Sequence, residues 1–256
     1  MPSNQVALAV LAACALLAPA ARAHAPAAPL HFSHPLIAES PSPDTKLRAD
    51  AFVGNADKGD FTTFRLEGEY AFTPSLSVEV DVPYTFLDTP DGNHGHLDVA
   101  SVALKSASFA FAQHGLLLGG GLELGLPTGD DALGIGFDHG VELEPFVDFG
   151  WQRERLQVVG FLHVGVPTAG GDQPDAVLGW NLAATFAAHP RVELLLELDG
   201  ESAFGGEEHG TTAVNLTPGV KVKLWRELVL GLGASFPVTH HEEFDVRGVA
   251  SLFWHF

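Results

Sequence analysis

Sulfur is nearly missing from this chain, which has one cysteine, Cys14, and one methionine, Met1. Cys14 falls in an apolar leader, so the remainder can form neither a disulfide nor a thiolate metal site. Cationic side chains are scarce as well. Lys and Arg total 13 against 32 Asp and Glu, a formal charge of −19. So acidic a chain is a poor match for nucleic acid, which needs basic patches against phosphate. The charge instead suits acidic loops in water, a cation-favouring pore or cation capture. Runs of helix-forming residues are lacking beyond the leader. The one apolar run, Val6 to Ala21, is too short and too weakly hydrophobic for a membrane helix, so membrane association has to come from strands.

That run ends in Ala21-Arg22-Ala23, whose small first and third residues fit signal-peptidase cleavage after Ala23. Residues 1–23 are therefore expected to be a signal peptide, residues 24–45 an arm and residues 46–256 the folded body. The arm carries Pro, Ala and Ser with His24, His31 and His34. Proline at this density opposes both helix and central strand. The arm reads as irregular: a disordered segment, a plug folded into a lumen, or a histidine arm that holds metal.

From Lys46 onward apolar and polar residues alternate with a period of two, the signature of strands with one greasy and one wet face. Near the end, Leu228, Leu230, Leu232, Phe236 and Val238 share one face, with Gly231, Gly233 and Ser235 opposite. In the last strand Val246, Ala250, Leu252, Trp254 and Phe256 alternate with Asp245, Arg247, Ser251 and His255. Twelve strands result, and tight turns alternate strictly with longer loops. Even strand number, short turns, long loops and strands of about ten residues together describe an outer-membrane barrel. The expected fold is an all-β, 12-stranded antiparallel transmembrane β-barrel with short periplasmic turns and longer outer loops. Trp151, Trp225 and Trp254 fall at the short-turn edge, where indole suits the headgroup layer. The first strand, Lys46–Val53, has no assigned faces. The fourth, Leu97–Ala112, follows a long loop and has no clear phase because Asp98 and Lys105 interrupt it.

Glu79-Val80-Asp81-Val82-Pro83-Tyr84, Leu126-Pro127-Thr128-Gly129 and Glu144-Pro145-Phe146 resemble motifs of a family of outer-membrane β-barrel transporters that includes proteins of a phenol-degradation meta-pathway. The likeness covers most of residues 46–256. It implies a barrel that moves small solutes, hydrophobic or aromatic compounds among them. It implies no catalytic residues and no cofactor. It also implies a Gram-negative outer membrane, reached after signal-peptide cleavage. The partners implied are lipid, a small solute and the barrel-assembly machinery, engaged through the strand ending at Phe256. One position departs from the usual assembly signal: Ser251 stands where a glycine is expected.

Twelve strands lie between the eight whose side chains fill the interior and the sixteen that leave an aqueous channel. A narrow acidic lumen is expected, lined by Arg65, Glu67, Glu69, Glu79, Asp81, Glu123, Glu142, Glu144, Glu193, Glu197, Lys221, Lys223, Asp245 and Arg247, with His163 and Asn181. Either these charges pair and fill the barrel, or they line a cation-preferring pore. The predicted outer loops carry His94, His96, His139, His209, His240 and His241 beside Asp and Glu, a donor set suited to zinc, copper or nickel. A metal-binding or structural barrel is thus the alternative to a channel. A barrel enzyme is the third reading, and no serine or histidine has the spacing that would support it. Gly134-Ile135-Gly136 has no strand-to-helix setting and is not a phosphate loop.

Overall fold

The computed structural model describes residues 28–56, 59–90, 92–130, 132–169, 174–206, 209–239 and 244–256. The expected signal peptide, with Cys14, lies outside the described residues.

The strands are β1 (Lys46–Ala56), β2 (Gly59–Thr73), β3 (Leu76–Thr89), β4 (Gly92–Leu97), β5 (Ser101–Ser108), β6 (Leu116–Gly125) and β7 (Glu142–Arg153). They continue with β8 (Leu156–Pro167), β9 (Ala176–His189), β10 (Val192–Phe204), β11 (Thr212–Trp225), β12 (Leu228–Pro237) and β13 (Val246–His255). Each pairs antiparallel with its neighbours, and β1 pairs with both β2 and β13. Registers from Lys46↔His255 to Asn55↔Val246 close the ring.

The ring has twelve positions because β4 and β5 share one. Leu76 to Asp81 of β3 face β5, and Tyr84 to Thr89 face β4. The fourth position is therefore split: β5 lies within the predicted strand Leu97–Ala112, and β4 lies almost wholly in the segment expected to be loop. The break falls at Asp98, whose carboxylate accepts the Val99 amide at 2.8 Å and the Thr85 hydroxyl at 3.2 Å. No single alternation runs across such a break, which explains the missing phase.

Outward faces are apolar: Phe64, Phe86, Leu104, Val147, Leu194 and Leu232 are exposed. Inward faces bury charge instead: Lys46, Arg48, Glu67, Glu69, Lys105 and Glu197. A ring with an oily outside and a polar inside satisfies every backbone group without a free edge, as a bilayer demands. Trp225 is 72% and Trp254 53% exposed at the short-turn end, and Trp254 lies 5.3 Å from the Phe256 ring.

Among the described residues, two buried apolar clusters form where the arm enters. One apolar cluster joins Phe32 and Ala38 to Leu117, Val159 and Ala183, and another joins Leu36 to Leu195, Val249 and Phe253. Each is part arm and part barrel wall.

Candidate functional site

The arm, residues 28–45, contains no strand, yet much of it is buried inside the ring. Its prolines help explain how. Pro35, Pro41 and Pro43 are buried and have no N–H to satisfy. Several other arm amides find barrel side chains. Glu197 of β10 accepts the Leu36, Ile37 and Ala38 N–H groups at 2.7, 3.0 and 3.0 Å. Gln157 accepts the Ser33 N–H at 2.8 Å, and the Ser33 hydroxyl donates to Glu193 at 2.6 Å. Arg48 donates to the Leu36 carbonyl at 2.5 Å, and Lys221 to the His34 carbonyl at 2.7 Å and to the Ser33 hydroxyl. Ser42 and Ser40 hold the arm's own backbone at Phe32.

The wall is shaped for this occupant. A Cβ on Gly150 would lie 2.6 Å from the Phe32 ring. One on Gly219 or Gly233 would lie 2.8 or 2.7 Å from a Leu36 methyl, and one on Gly231 would overlap Leu36 as well. The arm enters from the short-turn end, since Gln157, Glu193, Lys221 and His255 all lie close to tight turns.

Beside the arm lies an ion network. The Lys46 ammonium contacts Glu67, Glu69 and Glu79 at 2.6, 2.8 and 3.3 Å. Arg48 contacts Asp50 at 2.9 Å, Glu67 at 3.5 Å and the arm's Glu39 at 3.7 Å. Lys105 meets Glu39, Glu69 and Glu79 at 3.4–3.5 Å. Arg65 pairs with Asp50 at 2.7 Å and Asp81 at 3.7 Å. Buried charges persist only when paired in this way.

Of the residues expected to line the lumen, Arg65, Glu67, Glu69, Glu79 and Asp81 belong to this network, while Glu193, Glu197 and Lys221 hold the arm. Glu123 stands directly across from Glu144, and Glu144 bonds His163 at 2.8 Å. Glu142 sits on the same face of β7 as Glu144. Phe146 and Phe161 stack at 5.0 Å next to His163. Lys223 and Asp245 are at the rims and exposed, and Asp245 accepts from Asn55 at 2.6 Å. Arg247 covers the Phe244 ring at 4.4 Å. Sequence reasoning missed Lys46, Arg48, Asp50, Lys105 and Glu39. The first three had a signal, because Lys-Leu-Arg-Ala-Asp is itself an alternation.

The outer-loop histidines are dispersed. His94 and His96 are on β4, His139 bonds Asp138, and His209 accepts the Gly205 amide at 2.9 Å. His240 and His241, with Asp91, Asp131, Glu207, Glu208, Glu242 and Glu243, lie outside the described residues. Among the described residues, potential metal donors converge at His31, Asp44 and His255, and at Glu39, Glu67 and Glu79. The second group is already occupied by Lys46, Arg48 and Lys105.

In the first group, Asp44 Oδ2 lies 2.7 Å from His255 Nδ1, 3.2 Å from His34 Nε2 and 3.9 Å from His31 Nε2. Burial depresses the His34 pKa well below the ordinary value, aided by nearby Lys46, although its bond to Asp44 opposes this. Burial depresses His31 as well. Burial by itself would raise the Asp44 carboxyl, but hydrogen bonds from His255 and His34 outweigh it and hold it well below the usual range.

No family model matches the chain, and no curated protein matches it in sequence. Solved structures do. The COG4313 outer membrane channel from Pseudomonas putida F1 is 13% identical with a TM-score of 0.63, over 84% of this chain and 96% of that one. The NanC porin is 9% identical with a TM-score of 0.61, over 81% and 98%. The KdgM porin is 10% identical with a TM-score of 0.54, over 82% and 99%. At these identities the likeness is one of fold, and the fold is the closed twelve-stranded barrel of outer-membrane proteins.

Proposed function

We propose that this protein is an outer-membrane channel for small solutes, whose short-turn end is closed by residues 28–45. The observation that carries the reading is the manner of closure. The arm is held by side chains and shape, outside the strand ladder, so it can leave without breaking the barrel. Beyond it, Glu123, Glu142 and Glu144 give the long-loop half an acidic lining that favours cations or solutes with a cationic group. Hydrophobic or aromatic compounds enter this reading through the family resemblance alone.

In this reading, cleavage after Ala23 releases the chain to the periplasm. The assembly machinery inserts it through the strand ending at Phe256, and the short turns stay on the periplasmic side. Planar-bilayer recording tests the proposal. The intact chain is expected to conduct little, and a variant lacking residues 28–43 to conduct more, with cations preferred. If the truncated, correctly folded barrel passes no current, the channel reading fails and a structural barrel takes its place.

A further inference from the structure

The cavity at the short-turn mouth measures about 480 Å³ and is lined in part by His31, His34, Asp44, Lys221 and His255. We infer that His31, Asp44 and His255 form a binding site for a divalent transition metal, zinc first, that fastens the arm to the closing strand. Their donor atoms all lie within 4.8 Å of one another. Zinc holds nitrogen and oxygen donors at about 2.0–2.2 Å, so donors around it sit roughly 3.3 Å apart. Asp44 and His255 need only part slightly from 2.7 Å, and His31 has to close in from 3.9 Å. His31 has the freedom to do so, because its side chain is 50% exposed.

Two borderline imidazole nitrogens beside one hard carboxylate oxygen favour zinc, copper or nickel over calcium or magnesium, which take oxygen ligands. The set is also supported from outside. The Thr45 amide donates to Asp44 Oδ1 at 2.7 Å, and His34 holds Asp44 Oδ2 at 3.2 Å. Such outer partners fix the orientation of a ligating carboxylate. His34 is 98% buried, and its Nδ1 has no hydrogen-bond partner among the described residues. Its ring packs on Phe253 and is thereby fixed with Nε2 toward Asp44. Of the cations nearby, Lys46 is matched by Glu67 and Glu69 and Lys221 by Glu193, while Arg191, Lys223 and Arg226 line the same cavity with their side chains exposed to water. Three protein ligands leave a fourth position open to the cavity.

The site joins two places far apart in sequence. His31 and Asp44 belong to the arm and His255 to β13, which pairs with β1 to close the ring. Metal binding would therefore stabilise the seated arm by mass action.

The test uses the untagged, detergent-solubilised full chain. Cobalt is titrated and followed by its visible absorption, and zinc by calorimetry. One equivalent of cobalt is expected to give the bands of a four-coordinate site, which zinc then abolishes. His31→Ala and His255→Gln should each remove the bands and weaken zinc by more than the roughly tenfold typical of losing an outer-shell partner. Replacing His94, His96, His139, His209, His240 and His241 together by Gln should leave both readouts unchanged. Three results would each overturn the inference: no stoichiometric binding by the intact chain, bands that survive His31→Ala, or binding lost in the loop variant. His31 is half-exposed, so its replacement leaves the barrel able to fold and the outcome readable.

Discussion

Glu197 shows how one side chain can hold a segment that has no regular structure. Its two oxygens take three consecutive amides of the arm, a task usually performed by a strand or a helix cap. Gln at this position keeps one acceptor and points an NH2 group at an N–H donor. Glu197→Gln should therefore loosen the arm by about 1–3 kcal/mol. Faster hydrogen exchange at residues 36–38, with the strands unaffected, would register it. Lys105 presents the opposite problem, being 2% exposed among Glu39, Glu69 and Glu79. Lys105→Met should destabilise the barrel by roughly 3–5 kcal/mol, because it strands buried carboxylates. Adding Glu79→Gln should recover much of that loss in detergent unfolding, and strict additivity of the two changes would argue against direct coupling. Glu197 was legible in the sequence as an inward residue. Its role was not, since nothing local in β10 announces an arm some 160 residues away in the chain.

At the scale of elements, alternation reported the strands well wherever one face meets lipid and the other the lumen. It failed in two places, each for a physical reason. The β4–β5 break interrupts the period of two at Asp98. The arm has no period at all, because an irregular segment is fixed by its container. The container did leave a trace, the glycines of the Gly231 and Gly233 strand, which were legible as a small-residue face but not as a cradle for Leu36. Gly231→Leu fills that cradle and should expel the arm while preserving β12, whose outward residues are unchanged. Compared with the parent chain, the expected results are higher conductance and an arm open to protease, with strand content unchanged by circular dichroism. An arm still protected in that variant would mean that Leu36 does not determine its seat.

The whole molecule divides its charge along the barrel axis. Around the arm, Lys46, Arg48, Arg65, Lys105 and Lys221 meet Glu39, Asp50, Glu67, Glu69, Glu79, Asp81 and Glu193, so most of the charge in that half is paired. Beyond it, among the described residues, Glu123, Glu142 and Glu144 have one ion-pair partner, His163 beside Glu144. The excess acidity of the chain is thus carried into the part of the lumen that remains when the arm is gone. If ion preference arises there, it should survive removal of the arm and vanish with the carboxylates. The double variant Glu123→Gln, Glu144→Gln in the arm-less background should shift the reversal potential in a salt gradient from cation preference toward parity. The shift should be larger at low salt, where screening over about 10 Å at 0.1 M is weaker still. A preference that persists in the double variant would place the selective charges elsewhere, in the longer loops.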